Sequence, residues 1–193
     1  MPERHQANPR IASLIVERWS PRSFDGSEIP QEDLDAIFEA AGWAPSAFNI
    51  QPWKFLYARR DDANWERFLS LLVDFNQSWA RHAAVLVFVV SQRMQGRGEK
   101  RSENYSHSFD AGAAWATMAL QATAMGYHAH GMTGIHVDKA VEELGIAADH
   151  KLEAAVAIGR RGPVANLPEG LRDREAPSGR KELEEITVAG GLR

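Results

Sequence analysis

Asp110-Ala111-Gly112-Ala113-Ala114-Trp115-Ala116-Thr117-Met118-Ala119-Leu120-Gln121-Ala122-Thr123-Ala124-Met125 is the stretch on which the reading of this chain turns. It is rich in alanine and opens on an acid that suits the positive end of a helix. Gly126, favoured just past a helix end, follows it. The spacing predicts the longest helix of the chain over 110–125. Its small side chains let another backbone approach closely, which makes it the candidate for the centre of the fold.

On its N-terminal side, Val85-Leu86-Val87-Phe88-Val89-Val90 is β-branched and unbroken, the signature of a strand buried on both faces. Residues 53–57 and 152–158 read as further strands. Residues 61–75 read as a helix with Trp65, Phe68, Leu69 and Leu72 on one face, and 137–144 as a short helix ended by Gly145. Ile11, Leu14 and Ile15 predict a helix over 9–18, stopped at Trp19-Ser20-Pro21 because proline disfavours helical geometry in the residue before it. A second helix opens at Pro30, carries Glu32 and Asp33 in its first turn, buries Leu34, Ile37, Phe38 and Ala41, and ends at Gly42 and Pro45. Two stretches stand outside this pattern. Residues 92–104, with Arg93, Gly96, Arg97, Gly98, Lys100 and Arg101, read as a mobile exposed loop. The tail from Gly159, with Pro163, Pro168 and Pro177, is expected not to bury itself well: it stays disordered or docks on a surface such as a second subunit.

With 193 residues, the chain fits one domain, and its 44% hydrophobic content supplies a core without disulfide or metal staples. The net charge of −4 argues against nucleic acid as a partner, since phosphate backbones require dense positive charge. There is no cysteine, so thiol nucleophiles and Cys-ligated zinc are excluded. The N-terminal hexapeptide is polar and lacks a signal-peptide core. The apolar run 83–90 is far short of the roughly 20 residues a membrane span requires. The expectation is a soluble, cytoplasmic protein.

No Gly-x-Gly-x-x-Gly follows a strand, and neither a phosphate-binding Gly-Lys-Ser/Thr loop nor a Gly-x-Ser-x-Gly elbow is present. His128 and His130 share a strand face near His136, but no acidic or third imidazole ligand follows at a familiar spacing, so no metal site is assigned. Two clusters carry more. Arg18-Trp19-Ser20-Pro21-Arg22 places two guanidiniums and a hydroxyl at a helix exit pinned by proline, suited to phosphate oxygens; an exposed basic turn making surface ion pairs is the competing reading. Ala44-Pro45-Ser46-Ala47-Phe48-Asn49-Ile50-Gln51-Pro52-Trp53 holds short polar side chains on a stiff loop. That suits recognition of a planar, heteroatom-rich ring, or else a turn that satisfies its own backbone.

Arg18-Trp19-Ser20-Pro21-Arg22-Ser23-Phe24 resembles the opening motif of the FMN-dependent nitroreductase family, and the 44–53 stretch resembles that family's Ala-Pro-Ser-x-x-Asn-x-Gln-Pro-Trp element. Asn76 and Trp79, Asp110-Ala111-Gly112-Ala113-Ala114, Met132-Thr133-Gly134-Ile135, Asp138-Lys139-Ala140, Leu144-Gly145-Ile146, residues 155–159 and Pro177-Ser178-Gly179-Arg180-Lys181 continue the resemblance in order, from about residue 14 to residue 188. The resemblance implies an α+β fold with a central, mostly antiparallel sheet between helices. It implies an intertwined homodimer, one domain over 1–193 with the tail 160–193 on the partner, and FMN at the subunit interface. It also implies that Arg18, Ser20 and Arg22 hold the phosphate, with Arg180 or Lys181 as a further ligand and Arg180 preferred. Trp19 stands where the family has Arg or His, turning a polar flavin contact into packing. Pro45, Ser46, Ala47 and Asn49 reach the ring from the partner, Thr133 and Gly134 lie against it, and Asn76 meets its pyrimidine side. Phe48 walls the substrate pocket, and Tyr105 and Phe109 either wall it or pack in the core; Arg93, Arg97 and Arg101 are suited to attract an NADPH phosphate or an anionic acceptor, with a solvated basic loop as the competing reading. Ala47 and Phe48 replace more polar residues, and Thr133 replaces an acid.

The implied activity is ping-pong transfer of hydride from NADH or NADPH through FMN to a nitroaromatic, quinone or similar small acceptor, with no catalytic side chain. Flavin fragmentation, reductive dehalogenation and FMN storage are the alternatives within the fold; a helix-rich interaction module is the alternative outside it.

Overall fold

Val85, Val87 and Val89 point to one side of the central strand, and Leu86 and Phe88 to the other, as the period of two requires. Both sides are covered, so the run carries no polar alternation. In the computed structural model, which describes residues 7–96 and 98–192, the chain runs α1 (Ser13–Glu17), α2 (Gln31–Gly42), β1 (Trp53–Arg59), α3 (Trp65–Ser70), α4 (Asp74–Ala80), β2 (Val85–Gln92), β3 (Met94–Gln95) and β4 (Ser102–Glu103). It continues with α5 (His107–Ala124), β5 (His128–Met132), α6 (Val137–Glu143), β6 (His150–Gly159), α7 (Glu169–Arg172) and α8 (Leu183–Ile186). The N-terminal hexapeptide and Arg97 lie outside the described residues.

The main sheet has the order β1-β2-β6-β5, and its neighbouring strands are antiparallel. One face carries α2 and α5, with Leu34, Ile37, Met118 and Tyr127 buried against the valines of β2. The other carries α3 and α4, with Trp65, Phe68 and Trp79 around Leu86 and Phe88. The expected α+β architecture is the one observed. Ala111, Ala114, Ala119 and Ala122 of α5 are buried, and α5 packs closely on α2, as its small side chains predict.

Several local expectations are corrected. The helix over 61–75 is two helices, because the chain leaves helical geometry after Leu71 and pairs with 134–136 before α4: Val73 is extended and its N–H donates to the Gly134 carbonyl (3.1 Å), and His136 N–H donates to that of Leu71 (2.8 Å). The apolar side chains that look like one helical stripe belong to two helices and a bridge between Leu72 and Ile135. The first helix is shortened to α1, because Asn8 caps a turn with its side chain and carbonyl on the N–H groups of Arg10 and Ile11. The 92–104 stretch forms a β3–β4 ribbon docked on the fold. Arg101 pairs with Asp149, whose carbonyl accepts from Arg93 N–H (2.8 Å).

The tail also differs from expectation in its first part. Residues 160–175 pack on their own chain: Leu167 and Leu171 are buried in the core, and Gly162 N–H donates to the Ser23 carbonyl (2.9 Å). A Cβ at Gly162 would sit 2.5 Å from the Phe24 carbonyl oxygen, so only glycine permits this approach. Beyond Pro177 the tail is largely exposed, including Leu183 and Ile186 of α8.

Candidate functional site

Helix α1 ends at Glu17, earlier than the Trp19-Ser20-Pro21 stop expected from the sequence: Arg18 is already extended (φ −63°, ψ 119°), and Arg18, Ser20 and Arg22 lie on one non-helical bend around Pro21. Arg18 Nη1 donates to Ser20 Oγ (3.3 Å). The bend is clamped from behind. Glu175, 7% exposed, accepts from the backbone N–H groups of Arg22 (2.9 Å) and Ser23 (2.8 Å). His130 Nδ1 donates to the Pro21 carbonyl (2.8 Å); a carbonyl only accepts, so Nδ1 carries the proton. Burial lowers the Arg22 pKa from its ordinary value, Arg174 adds to this and Glu175 opposes it. Arg22 Nε is buried and finds no partner among the described residues.

Arg18 and Ser20 form the cationic end of a groove of about 440 Å³, lined also by Trp115, Ala116, Ala119, Gly131, Met132, Thr133 and Ala154. Its lining is largely apolar and combines Trp115 and Met132 with four small residues, and a Cβ at Gly131 would come 3.1 Å from the Trp115 ring. Thr133 marks the sheet side. Behind it, Gly134 is braced by Asn76, whose Nδ2 donates to the Gly134 carbonyl (3.0 Å). A Cβ at Gly134 would lie 2.5 Å from that nitrogen.

The 45–51 loop lies elsewhere, against the start of α5. Ala47 N–H donates to Asp110 Oδ2 (3.2 Å), Gln51 N–H to Ser46 Oγ (3.0 Å), and Gln51 Nε2 to Asn49 Oδ1 (3.0 Å). Phe48, Asn49 and Gln51 all have left-handed backbones (φ 52°, 54° and 52°), an unusual run without glycine. Phe48, Tyr105 and Phe109 are 94%, 97% and 82% exposed on the segments that meet at Asp110.

The structure therefore brings Arg18, Ser20 and Thr133 together, with Arg22 on the same bend and Gly134 and Asn76 directly behind. It does not bring Pro45, Ser46, Ala47 and Asn49 to that groove within one chain. Arg180 and Lys181 line a separate groove of about 900 Å³ with Ile11, Ile15, Leu183 and Ile186. Trp19 is a packing residue here, with its ring edge-on to His128 (6.2 Å) and the Arg161 guanidinium 5.2 Å from its centre. Burial lowers the pKa values of His128 and His130 below the ordinary imidazole value. Arg161 reinforces this for His128; the hydrogen bond to Pro21 opposes it for His130. Among the described residues no group of three or more His, Asp or Glu is arranged to hold a metal ion. Sequence reasoning missed Glu175 and the groove-lining role of Trp115, Gly131 and Met132. The run of small residues in α5 is the one signal that could have located that lining.

The nitroreductase-family profile matches residues 15–74 and 62–160. A solved structure described as an oxidoreductase containing FMN is 46% identical with a TM-score of 0.94, and the match covers 97% of this chain and 96% of that one. A Streptomyces coelicolor protein, provisionally named as an NADH dehydrogenase/NAD(P)H nitroreductase, is 29% identical over 178 residues, covering 82% of this chain and 89% of its own. A nitroreductase family protein from Clostridium difficile 630, at 19% identity and a TM-score of 0.70, shares the fold over 93% of this chain and 97% of its own.

Proposed function

The chain belongs to the nitroreductase family, and from that premise we propose that it is an FMN-dependent oxidoreductase that works as a homodimer. The observation that carries the proposal is the groove: the Arg18 guanidinium and the Ser20 hydroxyl at one end, with Arg22 close by in the chain, and a largely apolar lining that reaches Thr133. The residues fit a flat ring with an anionic handle. Arg18, Ser20 and Arg22 hold the phosphate, and each well-made charge-assisted contact contributes about 1.5–3 kcal/mol. Thr133 and Gly134 present their backbone N–H groups to the ring, and Asn76 holds that turn in place. Trp19 supports the bend by packing.

The partner completes the site. Its loop supplies Pro45, Ser46, Ala47 and Asn49, and its docked tail supplies Arg180 or Lys181. Phe48, Tyr105 and Phe109, exposed in the single chain, wall the acceptor pocket. Bound FMN supplies hydride transfer from NADH or NADPH to a nitroaromatic, quinone or similarly electron-poor acceptor, donor and acceptor using the pocket in turn. Arg93 and Arg101 remain candidates for steering an anionic donor, although the Asp149 pair draws on Arg101.

Anaerobic titration tests the reaction. The yellow protein is expected to bleach with NADH or NADPH and to recover its colour when a quinone or nitroarene is added. Bleaching without acceptor-dependent recovery would point to storage or to a reaction that requires oxygen.

A further inference from the structure

Three non-glycine residues in left-handed geometry within four positions make the 45–51 loop costly to hold. Most of its hydrogen bonds are internal. Among the described residues the one that ties it to another element is Ala47 N–H to Asp110 Oδ2 (3.2 Å). Asp110 is 3% exposed, in the first turn of α5, where the helix dipole favours a carboxylate. The same Oδ2 accepts from Ser106 Oγ (2.8 Å). The start of α5 is itself anchored to the sheet. Glu153, the extra residue at the register shift between β2 and β6, accepts from Ser91 Oγ and from Ser108 Oγ (2.6 Å), and it pairs with Lys151 (2.9 Å). His107 Nδ1 lies 2.7 Å from Ser91 Oγ. Two polar clusters therefore flank the first turn of α5: Glu153 with Ser91, Ser108 and Lys151 on the sheet side, and Asp110 with Ser106 and Ala47 on the loop side, joined through the helix backbone.

We propose that Asp110 is a positioning residue: its buried carboxylate fixes the strained 45–51 loop in the shape in which Ala47 and Asn49 meet the flavin ring held by the partner subunit. This rests on the reading of that loop as a flavin contact. In this role Asp110 acts through the Ala47 backbone.

The test compares wild type, Asp110→Ala and Asp110→Asn as FMN-loaded protein. Amide hydrogen exchange is followed at Ala47, together with the visible absorption spectrum of the bound flavin. Asp110→Ala is expected to speed exchange at Ala47 by about tenfold or more, the equivalent of one lost charge-assisted hydrogen bond, and to shift the flavin bands. Asp110→Asn keeps a carbonyl acceptor and is expected to restore both. Unchanged Ala47 exchange, or an unchanged flavin spectrum in Asp110→Ala, overturns the proposal. Should Asp110→Ala fail to fold, Ala47→Pro removes the donor instead. Ser46 already has the extended backbone that a following proline favours (φ −145°, ψ 154°). Folded, FMN-loaded Ala47→Pro must then shift the flavin bands relative to wild type, and an unshifted spectrum overturns the proposal equally. A wild-type protein that takes up no FMN refutes the proposed function and, with it, the flavin-positioning role. Ala47 exchange in that flavin-free protein shows separately whether Asp110 holds the loop.

Discussion

Arg18 and Trp19 are neighbours with opposite roles: one lines the groove and the other packs on His128 and Arg161. Arg18→Ala is expected to weaken FMN binding by about tenfold or more, since one charge-assisted phosphate contact is lost. The melting temperature of the flavin-free protein should move by about 2 °C or less. Equal FMN affinity by fluorescence titration would contradict the assignment. The histidines behind the bend set a pH dependence. His128 and His130 have folded pKa values below their unfolded ones, so the unfolded chain takes up protons first as the pH falls. Stability is therefore full above the ordinary imidazole value of about 6.5 and declines as the pH drops below it. Glu153, held below the usual carboxylate value by Ser108, Ser91 and Lys151 against the opposing effect of burial, adds a further loss at lower pH. His130→Asn keeps a donor for Pro21 and is expected to flatten the first part of this decline in thermal melts from pH 8 to pH 5. At this scale the sequence shows the two arginines and the serine because they are neighbours. Glu175 is invisible to it, since it reaches Arg22 and Ser23 from more than 150 positions away and no local pattern marks it.

Elements with one dominant period were readable. β2 announces itself by an unbroken β-branched run, and α5 by its alanines. The 61–75 segment was not, because its apolar side chains fit a helical stripe while the backbone at 71–73 pairs with 134–136, a partner the local sequence does not contain. The two faces of α5 give a direct test. Ala114 is fully buried against the sheet, whereas Ala116 is exposed and lines the groove. Ala114→Leu overpacks the core and is expected to cost about 1–3 kcal/mol in denaturant melts. Ala116→Leu should change stability by about 0.5 kcal/mol or less, as exposed substitutions do, yet fill the groove and weaken FMN binding. Equal stability losses for the two variants would mean that the groove side of α5 has been misassigned.

For the whole molecule, the question is what covers its exposed apolar surface. Ile11, Ile15, Leu183, Ile186, Phe48, Tyr105 and Phe109 are all exposed in the single chain, and several line a groove of about 900 Å³. Exposed apolar area on this scale marks an interaction surface. A second copy of the chain is the occupant proposed here, and it would also carry the 45–49 loop and Arg180 to the groove that lacks them. The tail then has two parts. Residues 160–175 belong to the core of the chain through Leu167, Leu171 and Glu175, and the part beyond Pro177 is largely exposed. Truncation after residue 175 is expected to leave a cooperatively folded protein by thermal melt while abolishing both dimerisation and FMN retention. The sequence marked the tail as unlike the rest but not where it divides, because Leu167 and Leu171 become core residues only once Phe24 and Trp79 are placed beside them. Gel filtration with light scattering and visible absorbance, after incubation with excess FMN and removal of what is unbound, bears most directly on the central claim. The expected result is one yellow species with the mass of two chains and one flavin per chain. A colourless species with the mass of a single chain would contradict it.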